Sequence, residues 1–124
     1  MSWKFDALVI GGGPAGSTAA LLLARAGWSV AVLERAGFPR RKVCGEYISA
    51  TNLPLIRQLG VESAFSEVAG PPVRQVGLFV GKTILVAKMP EPRDGSYGRA
   101  LSREHLDTLL LGEAARAGAI VWQP

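Results

Sequence analysis

Residues 8–34 read LVIGGGPAGSTAALLLARAGWSVAVLE, and this stretch decides the fold of the chain. It begins with a short apolar run, passes through three consecutive glycines, continues as a longer run rich in alanine and leucine, and ends in a second short apolar run. Short apolar runs are typical of buried strands, whereas a longer run of good helix formers favours a helix. The order strand, glycine turn, helix, strand predicts a βαβ unit with two parallel strands.

The glycine turn has the spacing of a dinucleotide-binding loop, since Gly11, Gly13 and Gly16 follow the pattern G-x-G-x-x-G. Gly11 allows the tight turn, Gly13 lets the backbone approach a pyrophosphate, and Gly16 lets the helix pack closely on the strand. Pro14 suits the first helical turn, because its missing N–H would have no partner there. The free N–H groups and the positive dipole end of this helix favour a phosphate.

Glu34 supports the same interpretation, because it follows Gly16 by eighteen residues and ends the second predicted strand. A carboxylate there accepts hydrogen bonds from the ribose hydroxyls of a dinucleotide and repels a 2′-phosphate, which disfavours NADP. A phosphate loop of the G-x-x-x-x-G-K-[ST] type is excluded, because Ser17 occupies the lysine position. A glycine turn with only a structural role would leave Glu34 unexplained.

Composition limits the other classes of function. The 124 residues carry a net charge of +4 without a basic run interleaved with aromatics, so nucleic-acid binding is not expected. Cys44 is the only cysteine, which rules out an internal disulfide and a multi-cysteine metal site and fits the cytoplasm. Residues 7–24 are uncharged, but the glycines and Pro14 interrupt them, so we expect no signal peptide and no transmembrane segment.

The hydrophobic pattern predicts further elements on both sides of this unit. We expect strands at residues 3–10, 29–33 and 119–122, and helices at residues 14–26, 49–59 and 102–117. Ser102 is predicted to cap the last helix, which should bury one apolar stripe. The residues of that stripe are Leu106, Leu109, Leu110, Ala114 and Ala117.

Residues 73–89 change to two β-rich runs around Gly81 and Lys82, which predicts a hairpin. We therefore expect a nucleotide-binding domain at residues 1–70 and 99–124, and the beginning of an antiparallel substrate layer at residues 71–98. A doubly wound sheet usually has more than three strands. This predicts the first part of a longer protein with an incomplete α/β fold, and a complete small domain is the alternative.

Three segments together resemble one family. They are GGGPAG (residues 11–16) with Glu34 and Arg35, KVCGEYIS (residues 42–49), and LSREHLDTLLLGEAARAGA (residues 101–119). In this order they resemble the FAD-dependent oxidoreductases of the geranylgeranyl reductase type, within the larger p-hydroxybenzoate hydroxylase-like group. The resemblance covers nearly the whole chain but only about the first third of such a protein. It implies a Rossmann-like FAD-binding core.

The resemblance also implies which residues hold the cofactor FAD. The pyrophosphate would lie on Gly11, Gly13, Ala15 and Gly16, with Pro14 in the same turn, and the adenosine end on Glu34 and Arg35. The loop near the flavin would include Lys42, Cys44 and Gly45, and Arg103 would also contact the cofactor. Catalytic residues stay unknown, because the downstream Gly-Asp motif and most of the substrate cavity of the family lie outside this sequence.

The implied activity is reduction of prenyl C=C bonds in an isoprenoid substrate, with peripheral membrane contact. A flavin-dependent monooxygenase or halogenase is the nearest alternative within the group. A nicotinamide-dependent dehydrogenase and an inactive truncated fragment that only binds nucleotide are the others.

Single side chains leave further alternatives. Arg103 lies in the first turn of its helix, where a cation opposes the dipole. It either serves a phosphate or ribose, or it is merely solvated while Glu104 and Asp107 compensate its charge. Any one of the basic residues 40–42 is expected to be solvated, although their loop follows the second strand and so lies near the nucleotide cleft. Cys44 is either a small buried hydrophobe or a thiol activated by neighbouring cations. His105 is expected at the surface or in a cap, and the three tryptophans in packing.

Overall fold

The computed structural model describes residues 2–124, which form an α/β fold around one parallel sheet. Its strands are β1 (Ala7–Ile10), β2 (Val30–Leu33), β3 (Tyr47–Ile48), β4 (Gln75–Val80), β5 (Thr83–Lys88), β6 (Arg99–Ala100) and β7 (Ile120–Trp122). Its helices are α1 (Pro14–Arg25), α2 (Leu53–Gln58), α3 (Glu62–Val68) and α4 (Arg103–Arg116), and a 3₁₀ turn covers Ala50–Asn52.

The parallel sheet has the strand order β1-β2-β7. Val9 of β1 lies opposite Val32 of β2, and Val32 lies opposite Val121 of β7. This arrangement confirms the predicted βαβ unit and the return of the chain into the sheet after α4. Because β1 is an edge strand, Leu8 and Ile10 remain 62% and 80% exposed.

The core lies on one side of this sheet, where α1 packs on β1 and β2 and against α4. Small residues such as Ala20 in α1 and Ala114 in α4 are fully buried and permit this close approach. Larger apolar side chains fill the rest of the core, and they include Leu21, Val30, Val32, Phe65, Leu106, Leu110 and Leu111.

Glycines end the helices where the sequence predicts. Gly27 follows α1 with φ of 87°, Gly60 follows α2 with φ of 77°, and Gly118 follows α4 with φ of 109°. These left-handed conformations are readily adopted only by glycine, which explains the three sharp helix ends.

The hairpin is confirmed as an antiparallel pair of β4 and β5. Its register runs from Gln75 opposite Lys88 to Val80 opposite Thr83, with Gly81 and Lys82 in the turn. Every residue of both strands is exposed. The division of the chain at residues 71–98 stays a prediction.

Two predicted boundaries are wrong. Strand β1 begins at Ala7 rather than Trp3, because its partner β2 begins opposite Ala7 at Val30. The rings of Trp3 and Phe5 instead stack on each other, and both meet Trp122 edge-on. Trp3, Trp28 and Trp122 are 65%, 49% and 42% exposed, so none of the three tryptophans lies in the core and the packing role predicted for them is not confirmed.

The helix expected at residues 49–59 is a 3₁₀ turn followed by the shorter α2, and a separate helix, α3, lies beyond it. Helix α3 buries Phe65, which is 1% exposed. The pairing of β3 with β6, which sets Tyr47 opposite Ala100, was also not predicted. Strands of two residues are too short to carry an alternating pattern.

The apolar stripe of α4 is confirmed at Leu106, Leu110 and Ala114, which are all buried. Leu111 and Asp107 are buried as well, although the predicted stripe omitted them. Ser102 occupies the N-cap position without capping the backbone, since its hydroxyl is 2.8 Å from Nδ1 of the exposed His105.

No helix within residues 2–124 is both long enough and apolar enough to cross a membrane.

Candidate nucleotide site

A cleft of about 990 Å³ opens at the carboxyl ends of β1 and β2, next to the start of α1. This is the edge of a parallel sheet where α/β proteins bind ligands. The lining includes Gly11, Gly13, Glu34, Arg35, Lys42 and Arg103, all predicted site residues. It also includes Ile10, Leu33, Ala36, Arg40, Arg41, Val43, Trp122, Gln123 and Pro124.

The glycine loop has the two constraints that its spacing predicts. Gly11 has φ of 100°, a conformation that side chains disfavour. A Cβ atom on Gly16 would overlap the carbonyl oxygen of Gly11, so only glycine lets α1 start this close to β1. Pro14, Ala15 and Gly16 form the first turn of α1 behind the loop and do not contribute to the cleft lining.

The start of α1 offers hydrogen-bond donors. The first hydrogen bond within the helix runs from the N–H of Ser17 to the carbonyl of Gly13, at 2.8 Å. The N–H groups of Ala15 and Gly16 precede it and therefore have no acceptor within the helix. Within residues 2–124 no side chain caps this end, because the N-cap residue is Gly13. The hydroxyl of buried Ser17 donates to the carbonyl of Gly12 at 2.8 Å. The residue at the position of a phosphate-loop lysine therefore stabilises the glycine loop.

Glu34 lies beside the glycine loop and accepts hydrogen bonds from two backbone N–H groups. Its Oε2 accepts the N–H of Gly12 at 2.7 Å, and its Oε1 accepts the N–H of Ala36 at 2.9 Å. Burial alone would raise the pKa of Glu34, but these two N–H groups and the charges of Arg40 and Arg35 together lower it. Glu34 is therefore anionic at neutral pH, and each oxygen can accept one more hydrogen bond.

Arg103 lies at the cleft rather than in bulk solvent. Its Nε donates to Oδ1 of Asp107 at 2.7 Å, and its Nη2 donates to Oδ2 at 3.0 Å. The bond to Asp107 raises the pKa of Arg103 against the effect of desolvation, and the Cys44 thiol adds a smaller contribution. This pairing is the compensation by Asp107 that the second alternative predicts, although the side chain of Arg103 is only 20% exposed, and a ligand contact of Arg103 stays a prediction.

Two further residues were missed in the sequence, namely Arg40, which lines the cleft, and Asp107, which does not line it but bonds to two arginines that do. Arg40 was expected to be solvated, but its side chain is only 16% exposed, and its Nη1 donates to Oδ2 of Asp107 at 3.0 Å. Asp107 was considered only as a neighbour of Arg103. A charged residue at an i+4 spacing from an arginine, inside an apolar stripe, is the signal that could have identified it.

The loop after Arg41 is only partly at the cleft. Lys42 contributes to the lining, whereas Cys44 and Gly45 do not. Cys44 is exposed, so the buried alternative is wrong, and its sulfur accepts the N–H of Glu46 at 3.4 Å.

The chemistry of the cleft matches a dinucleotide that carries phosphates, hydroxyls and flat rings. Gly13 provides the clearest fit, because a Cβ atom there would project into the space beside Nη2 of Arg103, at 3.7 Å, and Nη2 of Arg40, at 4.0 Å. Backbone N–H groups and two guanidinium groups thus lie around the position of Gly13, which carries no side chain. Ile10, Leu33 and Trp122 supply an apolar wall.

Comparison with curated proteins identifies relatives that share most of this chain. It is 36% identical over 118 residues to a protein named menaquinone reductase from Mycobacterium tuberculosis, covering 92% of this chain and 28% of that protein. It is 37% identical over 116 residues to the geranylgeranyl diphosphate reductase of Rhodobacter capsulatus, covering 94% of this chain and 27% of that protein. The chain thus spans less than a third of the length of these relatives.

Solved structures give the same picture. The myxobacterial chondrochloren halogenase, an FAD-dependent halogenase, superposes with a TM-score of 0.81 and 29% identity, over 96% of this chain and 28% of that one. The sequence model described as FAD binding domain matches residues 4–123. Because this match includes nearly every residue, the chain belongs to the FAD binding domain family.

Proposed function

We propose that the glycine loop and Glu34 hold the ADP half of FAD in this cleft. The observation that supports the proposal best is the meeting of side-chain-free Gly13, buried Glu34 and Arg103 at one cleft. The pyrophosphate would accept hydrogen bonds from the N–H groups at the start of α1 and from Arg103. The adenosine ribose would donate to the free acceptor positions of Glu34.

The other predicted residues have narrower roles in this proposal. Arg35 would contact the adenosine end and Lys42 the phosphates, since both side chains line the cleft. Cys44 and Gly45 would lie near the flavin, as the family resemblance implies. Because the family binds FAD, the nicotinamide-dependent dehydrogenase is no longer an alternative for this cleft.

For the whole protein we propose a flavin-dependent oxidoreductase that reduces prenyl C=C bonds, of which these residues are the FAD-binding part. Two relatives named as reductases, one of geranylgeranyl diphosphate, support this substrate class. When bound, FAD supplies the redox chemistry by accepting and delivering electron pairs. The exposed apolar hairpin of β4 and β5 would begin the layer that covers an isoprenoid substrate.

A halogenase or monooxygenase is the second candidate, and the superposition on an FAD-dependent halogenase favours it specifically. The two candidates share the cofactor site and differ in the substrate chemistry. Product analysis by mass spectrometry separates them: a gain of two hydrogens in a prenyl substrate supports the reductase, whereas a halogen or oxygen atom in the product supports the second candidate. An inactive fragment would bind nucleotide without any product.

The cofactor site is tested with Glu34→Ala in the full-length protein. Loss of the carboxylate removes charge-assisted hydrogen bonds, so we expect FAD affinity to fall about tenfold or more. Titration calorimetry measures the affinity, and the flavin absorption spectrum reports the FAD that copurifies with each protein. Glu62→Ala is the matched control, because Glu62 pairs with Arg57 on the surface and does not line the cleft. Equal FAD affinity in all three proteins would remove Glu34 from the site.

A further inference from the structure

Asp107 is a buried carboxylate that holds two arginines from separate parts of the chain. Its side chain is 1% exposed. Oδ1 accepts Nε of Arg103 at 2.7 Å, and Oδ2 accepts both Nη2 of Arg103 and Nη1 of Arg40, each at 3.0 Å. Arg103 lies in the first turn of α4, whereas Arg40 lies in the loop after β2, so the carboxylate joins two elements on the same wall of the cleft.

Both guanidinium groups keep donors that Asp107 does not use. A guanidinium has five N–H donors. The bonds to Asp107 occupy two of them on Arg103 and one on Arg40. The Nη2 atoms of the two arginines both lie next to the position that a Cβ atom on Gly13 would take. The unused N–H groups on these two Nη2 atoms thus lie beside the glycine loop.

The orientation of Arg40 is fixed from two further directions. Its guanidinium lies over the ring of Phe38, with Cζ 4.6 Å from the ring centroid. Its Nη2 is 3.9 Å from Oε2 of Glu34. Arg40 is therefore held between two buried acids, Glu34 in the cleft lining and Asp107 outside it, which is an arrangement that a solvated loop residue would not need.

We propose that Asp107 is a positioning residue that holds Arg40 and Arg103 as a pair beside the glycine loop, where both bind phosphate oxygens of the dinucleotide. The inference rests on the proposed FAD site and adds Arg40 as a phosphate ligand and Asp107 as the group that orients both arginines. Arginine suits this task, because its planar fork can bond a carboxylate on one side and a phosphate on another.

A simple charge argument predicts the opposite effect of Asp107. A carboxylate near a bound phosphate repels it, so its removal would tighten phosphate binding if the arginines kept their places. Positioning by Asp107 therefore predicts weaker phosphate binding in Asp107→Asn, whereas repulsion predicts tighter binding. This makes the affinity for a phosphate ligand a direct test.

The test compares ADP with adenosine, which share a base and ribose but differ in the phosphates. In the flavin-free full-length protein, the wild type should prefer ADP. Asp107→Asn should lower ADP affinity about tenfold or more while changing adenosine affinity less than about twofold, as loss of charge-assisted bonds to phosphate predicts. Equal losses for both ligands would indicate a merely structural role, and unchanged or tighter ADP binding would support repulsion. Either result overturns the proposal.

Glu113→Gln is the matched control, because Glu113 also pairs with two arginines, Arg25 of α1 and Arg116 of α4, and neither of these arginines lines the cleft. It should leave both affinities unchanged. Arg103→Lys is the second variant, and it decides the question if Asp107→Asn does not fold. It keeps the charge but cannot bond both Asp107 oxygens through a planar fork. We expect it to reduce ADP affinity selectively, and retained ADP affinity would contradict the proposal.

A third arm tests whether Asp107 acts through the two arginines. If Asp107 acts through the arginines, its effect on ADP affinity should shrink in a background of Arg40→Gln and Arg103→Gln, so the effects are not additive. Additive losses would overturn the proposal. A wild type without any preference for ADP over adenosine would instead reject the proposed FAD site, so the two failures are distinguishable.

Discussion

Helix α4 carries two clusters of the same composition, each with one acid between two arginines. The inner cluster lies near the N-terminal end of the helix and comprises Asp107, Arg40 and Arg103. The outer cluster lies near the C-terminal end and comprises Glu113, Arg25 and Arg116. The acid of the inner cluster is 1% exposed, whereas that of the outer cluster is 19% exposed.

The helix dipole separates the two clusters further. Arg116 lies in the last turn of α4, where a cation is favourable, and Arg25 occupies the last turn of α1. Arg103 lies in the first turn of α4, where a cation costs about 0.3 to 1 kcal/mol. The outer cluster thus follows the rules of helix stability, and the inner cluster opposes them. Since Asp107 compensates the charge of Arg103 at this end of the helix, the inner cluster depends on its acid more than the outer cluster does, and the ligand role of Arg103 stays a prediction.

The largest difference between the clusters should appear in stability. Asp107→Asn leaves two partly buried guanidinium groups without their anion, so we expect a loss of about 3 kcal/mol in the free energy of unfolding. Glu113→Gln should cost about 1 kcal/mol or less, because exposed pairs contribute little. Urea unfolding of the full-length proteins, followed by circular dichroism, measures both. Equal losses would show that burial does not distinguish the two clusters.

The inner cluster also shows which features could be predicted from the sequence and which could not. The βαβ unit, the glycine constraints and the place of Glu34 follow from residues close together in the chain, and each was predicted. The spacing of Arg103 and Asp107 is equally local, yet the role of Asp107 depends on its burial, which the pattern of α4 alone did not give. Arg40 joins them only because the loop after β2 folds back over α4, and no local pattern encodes that contact.

The remaining differences have similar physical causes. Cys44 is exposed because its loop lies outside the core, although free cysteines are commonly buried. The hydroxyl of Ser102 contacts Nδ1 of His105 instead of the helix backbone, because the imidazole three residues along the helix offers the hydroxyl a second possible partner. Helix α3 was missed because its seven residues are too few for a clear helical period.

Glu34 adds a test by pH, since Oε2 of Glu34 lies 3.9 Å from the inner cluster at Arg40. Backbone N–H groups and arginine charges outweigh burial and lower the pKa of Glu34 in the folded state. Its contribution to stability is therefore present above the unfolded pKa, about 4.3, and is lost as the pH falls through the lower folded pKa. We expect Glu34→Gln to cost about 1.5 kcal/mol at pH 7, from weaker bonds to Gly12 and Ala36.

The measurement compares unfolding free energies of the wild type and Glu34→Gln from pH 7 down to the acid limit of the fold. The difference between them should narrow only below about pH 4.3, where the unfolded state begins to bind the proton. A difference that stays constant through this acid range would show that the charge of Glu34 does not stabilise the loop. Glu113→Gln in the same series shows how an acid outside the cleft behaves.

The smallest expected effect concerns salt and the outer cluster. Arg25 and Arg116 are 38% and 66% exposed, so solvent ions can screen their pairs with Glu113. At 1 M salt the screening length is about 3 Å, and the cost of Glu113→Gln, about 0.5 kcal/mol at low salt, should disappear. The cost of Asp107→Asn should persist, because ions do not reach a carboxylate that is bonded to two guanidinium groups and excluded from solvent. Urea unfolding at low and high sodium chloride measures both differences. If both costs declined in parallel, the inner cluster would be as accessible to ions as the outer one, and the argument that burial sets it apart would fail.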